Sequence, residues 1–434
     1  MTARDKPVLI IGGGFSGSML AARLAERGCA SVVIEKSPHK GLGVAYSTAQ
    51  DAHRLNVRAN NMGALADKPG DFAEWLAAHH PDHADPEGFA PRRIYGEYIQ
   101  HRLTAVDNAH PGMIRWITAK ATSLDGKSVG LEDGHTLEGS AVVLASGNPP
   151  PRPKNPDDSP CRISDPWASG ALSQIKPTDR ILILGTGLTM VDVLLSLTAQ
   201  GWQGTAIALS RRGLAPRAHI YGRHAPATLP QSALTGPLSQ RLATVRELAA
   251  DVDWRDIMDA YRSRTASLWQ AATTAEKERF LRHLRPWWDV HRHRIAPDIA
   301  DQLEALKSQG RLSLHAGRIS QITSNSDGLD IRWQPRGSTE LQSRTVHWMI
   351  DCTGPGHDPA RDPLTAPLIA SGRLSMDPTG LGLRVAETGQ ALNTEGVADD
   401  SLYVLGPPTR AAFWESIAVP DLRNRIEALV QQLT

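Results

Sequence analysis

Cysteine is scarce. Cys29, Cys161 and Cys352 are the only three in 434 residues and stand far apart. There is no Cys-x-x-Cys pair and no Cys/His spacing of a zinc site, which argues against structural disulfides, a redox dithiol and a metal centre. None of the 16 histidines falls in a His-Glu-x-x-His pattern. A surplus of one charge is also missing, with 47 Lys and Arg against 46 Asp and Glu. That removes the electrostatic footprint of a nucleic-acid or anionic-membrane partner. No apolar run reaches the roughly 18 residues of a membrane helix. Arg4 and Lys6 precede the apolar stretch Val8 to Ile11, but this stretch stops at Gly12 and is shorter than the roughly 7–15 residues of a secretory signal core. The chain reads as a mature cytoplasmic protein, long enough for two domains.

What is present is a pair of glycine-rich turns, each set between an apolar strand and an amphipathic helix. The first follows Val8-Leu9-Ile10-Ile11, an apolar run suited to a parallel strand buried on both faces. In the turn, Gly12 permits the tight bend, Gly14 lets the backbone approach a pyrophosphate, and Gly17 lets the helix pack close to the strand. Phe15 and Ser16 open that helix, where unpaired N–H groups favour an anion. Met19, Leu20 and Leu24 form its apolar stripe and Gly28 ends it. The second strand, Ser31 to Ile34, delivers Glu35 and Lys36. A carboxylate at this distance can accept both hydroxyls of an adenosine ribose, and it repels a 2′-phosphate. The first site therefore suits FAD or NAD over NADP. The competing reading is a βαβ unit that holds no nucleotide.

The second turn follows Ile181-Leu182-Ile183-Leu184 and reads Gly185-Thr186-Gly187-Leu188-Thr189-Met190. Methionine replaces the third glycine, which implies a looser contact between helix and strand. The helix ends at Gly201. The next strand, Thr205 to Leu209, runs into Ser210-Arg211-Arg212, a hydroxyl and two guanidiniums where the first site has Glu35. That exchange suits a 2′-phosphate, because the arginine fork matches phosphate oxygens. NADPH is thus expected over NADH; the alternative is a solvated basic turn. Two dinucleotide sites in one chain imply electron transfer between a nicotinamide and a flavin.

Elsewhere, Ile117 to Leu124 and Ser128 to Leu131 read as a hairpin region around Asp125-Gly126 and Asp133-Gly134. Ala141 to Ala145 is a further buried strand leading to Ser146-Gly147. Asn148 to Pro160 is rich in proline and marks a linker. Pro230 to Gln309 breaks the α/β rhythm and reads as a helical insertion. Strand patterns resume at Arg311–His315, Ile319–Thr323 and Leu329–Trp333. A strand from Val346 then delivers Asp351-Cys352-Thr353-Gly354, echoing Ala141 to Gly147.

The stretches Ile11–Gly17, Gly41-Leu42-Gly43-Val44-Ala45-Tyr46, Leu55-Asn56-Val57, Pro91–Gly96, Gly185–Asp192, Ser210–Arg217, Trp287–Pro297, Asp351–Pro355 and Phe413-Trp414-Glu415 with Ala418-Val419-Pro420 span nearly the whole chain. They resemble a family of bacterial FAD/NAD(P)-binding oxidoreductases related to the two-dinucleotide flavoprotein monooxygenases. The resemblance implies an α/β fold of two Rossmann-like dinucleotide-binding domains. An FAD domain would be discontinuous, residues 1–155 and 345–434, with an NAD(P) domain inserted at 175–344 that carries the helical insertion at 230–309. It places Gly41, Gly43, Tyr46 and Asn56 near the isoalloxazine, although an ordinary glycine turn accounts for the first two equally. It also brings the C-terminal strand Leu402–Leu405 back to the FAD fold, with a helix from Trp414 aimed at the ring.

On the substrate side, Trp287 to Arg294 is the densest unusual stretch. His291 and His293 are candidate acid–base groups, and Trp414 is a candidate pocket wall. The bland reading is a helix with Trp287 and Val290 buried and its basic face in water. The expected activity is an FAD-dependent, NADPH-consuming monooxygenase. It would hydroxylate a small polar substrate, nitrogen-bearing and at its most specific urate-like, with O2 activated at the flavin C4a. The rivals are a flavin dehydrogenase or reductase serving a partner or quinone, and a non-enzymatic FAD/NAD(P)H redox sensor.

Overall fold

Strand β1 (Val8–Ile11) is buried along its whole length and leads through the first glycine turn into α1 (Phe15–Glu26), whose Met19, Leu20 and Leu24 face the core. Strand β2 (Ser31–Glu35) lies parallel beside it. The structure is a computed structural model that describes residues 6–148, 159–222, 225–354 and 358–434. Residues 149–158, most of the expected linker, and Pro355 lie outside the described residues. After β2 come α2 (Gly43–Tyr46), α3 (Asp71–His79) and α4 (Arg92–Ala109). Strand β3 (Ile114–Thr118) then pairs with β2. Ile117 therefore belongs to the parallel sheet and not to the hairpin region. That region is the separate antiparallel sheet of β4 (Ala121–Asp125), β5 (Ser128–Leu131) and β6 (Thr136–Glu138). The apolar pattern runs unbroken through the change of sheet, so periodicity alone could not mark it. Strand β7 (Val142–Leu144) joins the sheet on the far side of β1.

The second unit begins with β8 (Arg162–Ile163) and β9 (Ile181–Leu184), followed by α5 (Leu188–Ala199) and β10 (Ala206–Ser210). The helical insertion follows: α6 (Gln231–Leu234), α7 (Leu238–Leu248), α8 (Trp254–Arg262), α9 (Thr265–Ala271), α10 (Thr274–His283) and α11 (Arg285–Arg292). Helix α12 (Pro297–Ser308) was expected in the insertion, but its Ile299, Leu303 and Leu306 pack into the same core as β9 and β10. It is the crossover that parallel strands require. The next strand, β11 (Leu312–Asn325), is one 14-residue element where two short strands were expected. Its first half pairs with β10. From Gly317 the pairing is with β12 (Gly328–Pro335), with a bulge between Ile319 and Gln321. The bulge explains the interrupted alternation in the sequence. Then come β13 (Gln342–Val346) and β14 (Trp348–Asp351); Val346 ends β13 and does not start β14. The resulting seven-stranded sheet has the order β13-β12-β11-β10-β9-β14-β8. Strands β8 and β14 extend this unit beyond the expected limits of 175 and 344.

The chain closes with α13 (Thr365–Ala370), β15 (Gln390–Leu392), β16 (Ala398–Val404), α14 (Arg410–Phe413) and α15 (Val419–Leu433). Strand β16 pairs parallel with β7 and completes a six-stranded sheet of order β15-β16-β7-β1-β2-β3. The fold is thus α/β, with two Rossmann-like units and the first discontinuous in sequence. Each fully buried Leu or Ile of β1 and β9 contributes roughly 1.5–3 kcal/mol. The expected helix from Trp414 does not form. Trp414 instead caps α14, and the next helix starts at Val419, where Pro420 is pre-organised for a first turn. No helix among the described residues is long and apolar enough to cross a membrane.

The two units are locked together where α4 meets α5. The Arg92 guanidinium donates to both carboxylate oxygens of Asp192, at 2.9 and 3.3 Å. Beside this pair, buried His53 reaches the Ser196 hydroxyl at 2.8 Å and the Asp192 carbonyl at 3.1 Å. Asp192 is buried, so removing its carboxylate strands Arg92 away from water. Asp192→Ala is expected to lower stability by about 3 kcal/mol in denaturant titration. A loss no larger than that of an exposed surface substitution would show that the pair does not hold the units together.

Candidate functional site

The two glycine turns share one construction. Gly12 and Gly185 sit at φ +108° and +97°, a region closed to most side chains. A Cβ on Gly12 would lie 2.3 Å from the Ala145 carbonyl oxygen, and one on Gly185 would lie 2.5 Å from that of Cys352. The end of the strand beside β1 or β9, β7 in one unit and β14 in the other, thereby runs hard against the turn. The residue that follows is also close: the same Cβ positions would lie 3.1 Å from the Ser146 Cα in one unit and from the Thr353 nitrogen in the other. Asp351 is buried at the end of β14 and accepts the Thr353 N–H at 2.9 Å and hydroxyl at 2.6 Å.

Gly14 and Gly187 are the N-caps of α1 and α5, with nearly equal dihedrals of −72°, −168° and −89°, −163°. Neither helix start carries a side-chain cap. The first-turn N–H groups, including those of Phe15, Ser16, Leu188 and Thr189, are therefore free to face an anion. At the third position the units differ. A Cβ on Gly17 would meet the Gly12 carbonyl oxygen at 1.9 Å, so α1 must touch its turn. Met190 has a Cβ and cannot approach as far. Its side chain is fully buried in the core of the second unit and fills the added space.

The selectivity residues lie where the second strand of each unit ends. Glu35 accepts the Gly13 N–H at 2.6 Å and the Ser37 N–H at 3.0 Å, which holds its carboxylate over the turn. Lys36 is exposed. In the second unit the Ser210 hydroxyl accepts the Gly213 N–H at 3.0 Å and lies 2.9 Å from that of Thr186. Arg211 is exposed, whereas Arg212 donates to the Arg282 carbonyl at 3.2 Å. The two arginines therefore differ: Arg211 is the free cation, and Arg212 ties the turn to the end of α10.

Around the first cleft, the Gly41 N–H donates to the Gly13 carbonyl at 2.9 Å and fastens the Gly41–Tyr46 loop over the turn. Gly43 faces Gly14 so closely that a Cβ on Gly14 would be 3.5 Å from the Gly43 Cα. Two glycines back to back leave main chain on both sides of the space. Tyr46 is half-buried, its ring 4.7 Å from that of Tyr95 and 6.5 Å from that of Phe15. From the C-terminal segment, Gly406 reaches α1, where its Cβ would lie 3.3 Å from the Ser16 hydroxyl. These residues fit a flavin dinucleotide: an uncapped helix start for the pyrophosphate, a fixed carboxylate for the ribose, and glycine backbone where a flat ring would lie.

The sequence did not single out the seam between the units. Asn56 presents its carbonyl to His219 at 3.2 Å, and Arg58 donates to the carbonyls of Glu87 at 2.6 Å and Ile220 at 2.9 Å. His219 lies on the ring of Phe89, 4.7 Å between centroids. Burial, and next the nearby Arg294, push its pKa down to about 2. The Ser210–Arg217 stretch pointed to this loop but stopped two residues short of its histidine.

Of the candidate catalytic residues, His291 and Trp414 line one cavity of the helical insertion, and His293 lies outside its wall. His291 bonds through Nδ1 with the Trp287 carbonyl at 2.7 Å and meets the Trp254 ring edge-on at 4.8 Å. His293 is half-buried, 4.0 Å from Asp289. Burial pushes both imidazoles below their usual range. Trp287 is exposed, against the bland expectation, while Val290 is buried as that reading required. Trp414 is buried and stacks on Trp269 at 4.7 Å. It is the only non-glycine residue at positive φ among those described, at φ 58°, ψ −62°. With the Glu415 N–H donating back to the Phe413 carbonyl at 2.7 Å, it forms a γ-turn of the strained, rarer hand. That turn points the Glu415 carboxylate inward, where Oε1 accepts the Trp288 indole N–H at 3.1 Å and lies 3.8 Å from Arg292. Burial pushes the Glu415 carboxyl up, but Arg292, His293, the Trp288 bond and Arg410 outweigh it and hold the group below the usual range.

Residues 9–149 match the FAD-NAD(P)-binding family. No curated protein matches the sequence. Among solved structures, the chain is similar in fold to the ornithine N-hydroxylase of Kutzneria sp. 744, in a form with reduced FAD, NADP+ and L-ornithine; identity is 16%, coverage 99% of this chain and 98% of that one, and TM-score 0.67. It is similar also to L-lysine 6-monooxygenase of Pseudomonas syringae, at 17% identity, 99% coverage of both chains and TM-score 0.67. A third is the FAD-bound cadaverine monooxygenase of Erwinia amylovora, at 13% identity, coverage of 99% and 94%, and TM-score 0.68. At these identities the likeness establishes a shared two-unit fold over the full chain.

His219 gives a test of the seam. Its pKa falls from 6.5 to about 2 on folding, so between these values the unfolded chain binds the extra proton. The stabilising effect of keeping it neutral is complete above pH 6.5 and is lost as the pH falls below that value. Between pH 7 and pH 5, wild type should lose on the order of 1–2 kcal/mol more than His219→Gln in urea titrations. Identical losses in the two proteins would mean that the imidazole is not held neutral in the fold.

Proposed function

We propose that the chain is an FAD- and NADPH-dependent monooxygenase that hydroxylates a small, polar, nitrogen-bearing molecule. The observation that carries this reading is the asymmetry between two otherwise matching clefts. One presents a backbone-anchored carboxylate at the end of its second strand and the other an exposed guanidinium. The first suits an adenosine ribose with both hydroxyls free, hence FAD. The second suits a 2′-phosphate, hence NADPH.

In this reading the first-turn N–H groups of α1 bind the FAD pyrophosphate, Glu35 orients the ribose, and Gly43, Tyr46 and Asn56 border the flavin ring, with Ser146-Gly147 at its edge. In the second unit, Gly185, Gly187, Leu188 and Thr189 bind the other pyrophosphate. Arg211 holds the 2′-phosphate, Ser210 and Arg212 brace it, and Asp351 and Gly354 border the nicotinamide side. Bound FAD supplies acceptance of hydride from NADPH and activation of O2; the protein supplies alignment, exclusion of water and charge placement. Glu415, held ionised between Arg292 and Trp288, ties the C-terminal segment to the helical insertion. The nitrogen in the substrate is supported by the fold's relatives, whose names specify ornithine, lysine and cadaverine. Among the described residues, none favours a urate-like ring over such amines.

Two measurements test the reading. Arg211→Ala should raise the KM for NADPH about tenfold, the scale of one charge-assisted phosphate contact, and change that for NADH less than about twofold. Equal effects on both coenzymes would remove the phosphate assignment. Turnover under labelled O2 should place one oxygen atom in the organic product. NADPH oxidation that yields only reduced acceptor or hydrogen peroxide, across a panel of amines, would reassign the chain as a dehydrogenase or oxidase.

A further inference from the structure

The helical insertion has no single core. Apart from Val290, its buried apolar residues fall in two small groups. One contains Trp269, with Leu381, Ala411 and Trp414 from the C-terminal part of the chain; the other contains Ala233, Ile257 and Tyr261. Between them lies a cavity of about 580 Å³. Helix α7 carries Leu238, Leu242 and Val245 at the spacing of one helical face, yet it buries no residue; that face lines the cavity. Helix α10 likewise buries none, and its Phe280 also lines the space. Aromatic side chains make up much of the remaining wall, with Trp254, Trp288 and Trp414 among them and Trp287 exposed. Two amphipathic helices have thus turned their apolar faces toward each other without closing.

We infer that this cavity is a binding site for a small amphiphilic carboxylate, with an apolar chain or ring system seated among the tryptophans and its anionic head at the basic side chains of the wall. The size falls within the range of small-molecule pockets and is too small for a protein helix with its side chains. The wall is almost entirely apolar, so an apolar body gains most by entering it. Charge selects the head group. Arg241, Arg246, Lys277 and His283 line the cavity against one acid, Glu276. Glu276 is already engaged, since its carboxylate accepts the Thr273 N–H and hydroxyl, both at 2.9 Å, in the capping box of α10. Glu276 keeps its charge, but it is one acid against Arg241, Arg246 and Lys277, so the wall favours an anionic head. His291 also faces the cavity, and burial favours its neutral form, so it adds a polar contact without charge. This site is separate from both glycine turns, and its ligand is distinct from the nitrogen-bearing substrate proposed above.

The test is direct binding to the full-length protein, followed by tryptophan fluorescence and calorimetry. The probes are sodium dodecanoate below its micelle concentration, dodecylamine with the same chain and opposite charge, and L-ornithine. Dodecanoate should bind saturably with one site per chain, about tenfold tighter than dodecylamine, and ornithine should leave the indole emission unchanged. Leu242→Trp fills the cavity from α7 and should abolish saturable binding. Arg241→Glu with Lys277→Glu leaves the apolar wall intact and should reverse the preference between the two head groups. Unchanged dodecanoate affinity in Leu242→Trp, or equal affinity for both head groups in wild type, would overturn the inference. So would concentration-dependent self-association that blocks dodecanoate, which would assign the apolar faces to a second copy of the chain. None of these readings depends on flavin reduction, so loss of the monooxygenase reading leaves the binding result standing, and the reverse.

Discussion

Both units depend on one close contact: the Cα of a glycine pressed against the carbonyl that follows the neighbouring parallel strand, β7 beside β1 and β14 beside β9. Gly12 against Ala145 and Gly185 against Cys352 are the same contact made twice, at 2.3 and 2.5 Å from where a side chain would begin. Its consequence is positional. With no Cβ to hold them apart, the first strand's turn and the exit of the strand beside it share one edge. Any ligand that lies on the helix start must then also pass the exit residues. The clefts are thereby specified to ångström precision by main chain alone, and side chains are left free to set which dinucleotide each prefers.

A second constraint is the charge buried at the seam. Arg292 is buried, and its Nε and Nη2 make no hydrogen bond among the described residues; the same is true of Oε2 of Glu415 and Oδ2 of Asp421. Burial lowers the Arg262 guanidinium to about 10, with Arg292 adding to the effect, and raises the Asp421 carboxyl. Groups held this way are costly unless their partners are correctly placed. They therefore tie the insertion and the C-terminal segment to one relative position more sharply than apolar packing would. The strained turn at Trp414 fits this picture, since the indole stack on Trp269 and the inward Glu415 carboxylate hold it from both sides.

The two nucleotide units were legible in the sequence because each signal there is local. A buried apolar strand, a glycine turn and an amphipathic helix follow one another within about thirty residues, and the carboxylate or arginine falls at the next strand end. What was not legible is what depends on distant segments. The Arg92–Asp192 fork and the approach of His219 to Asn56 join residues about a hundred or more positions apart. Neither has a spacing that could announce it. The misplaced boundary of the insertion has a different cause. Helix α12 has the same periodicity as the insertion helices, and only its packing on β9 and β10 shows that it is a Rossmann crossover. The expected helix at Trp414 failed for a local reason: a γ-turn with a non-glycine centre is rare enough that sequence gives it no weight.

The two units also differ in how firmly their periphery is held. Around the first cleft, α1 is buried on most of its residues and α15 packs against it. Around the second, the insertion rests on two small apolar groups, and two of its helices bury nothing. Local opening free energy follows buried contact, so the insertion opens more readily than the sheets it rises from. It also carries Arg282, the anchor of Arg212, together with His291, His293 and Trp288, the donor to Glu415. It is thus tied at one end to the turn that would hold the nicotinamide coenzyme, through Arg282 and Arg212, and at the other to Glu415 of the C-terminal segment, through Trp288 and Arg292.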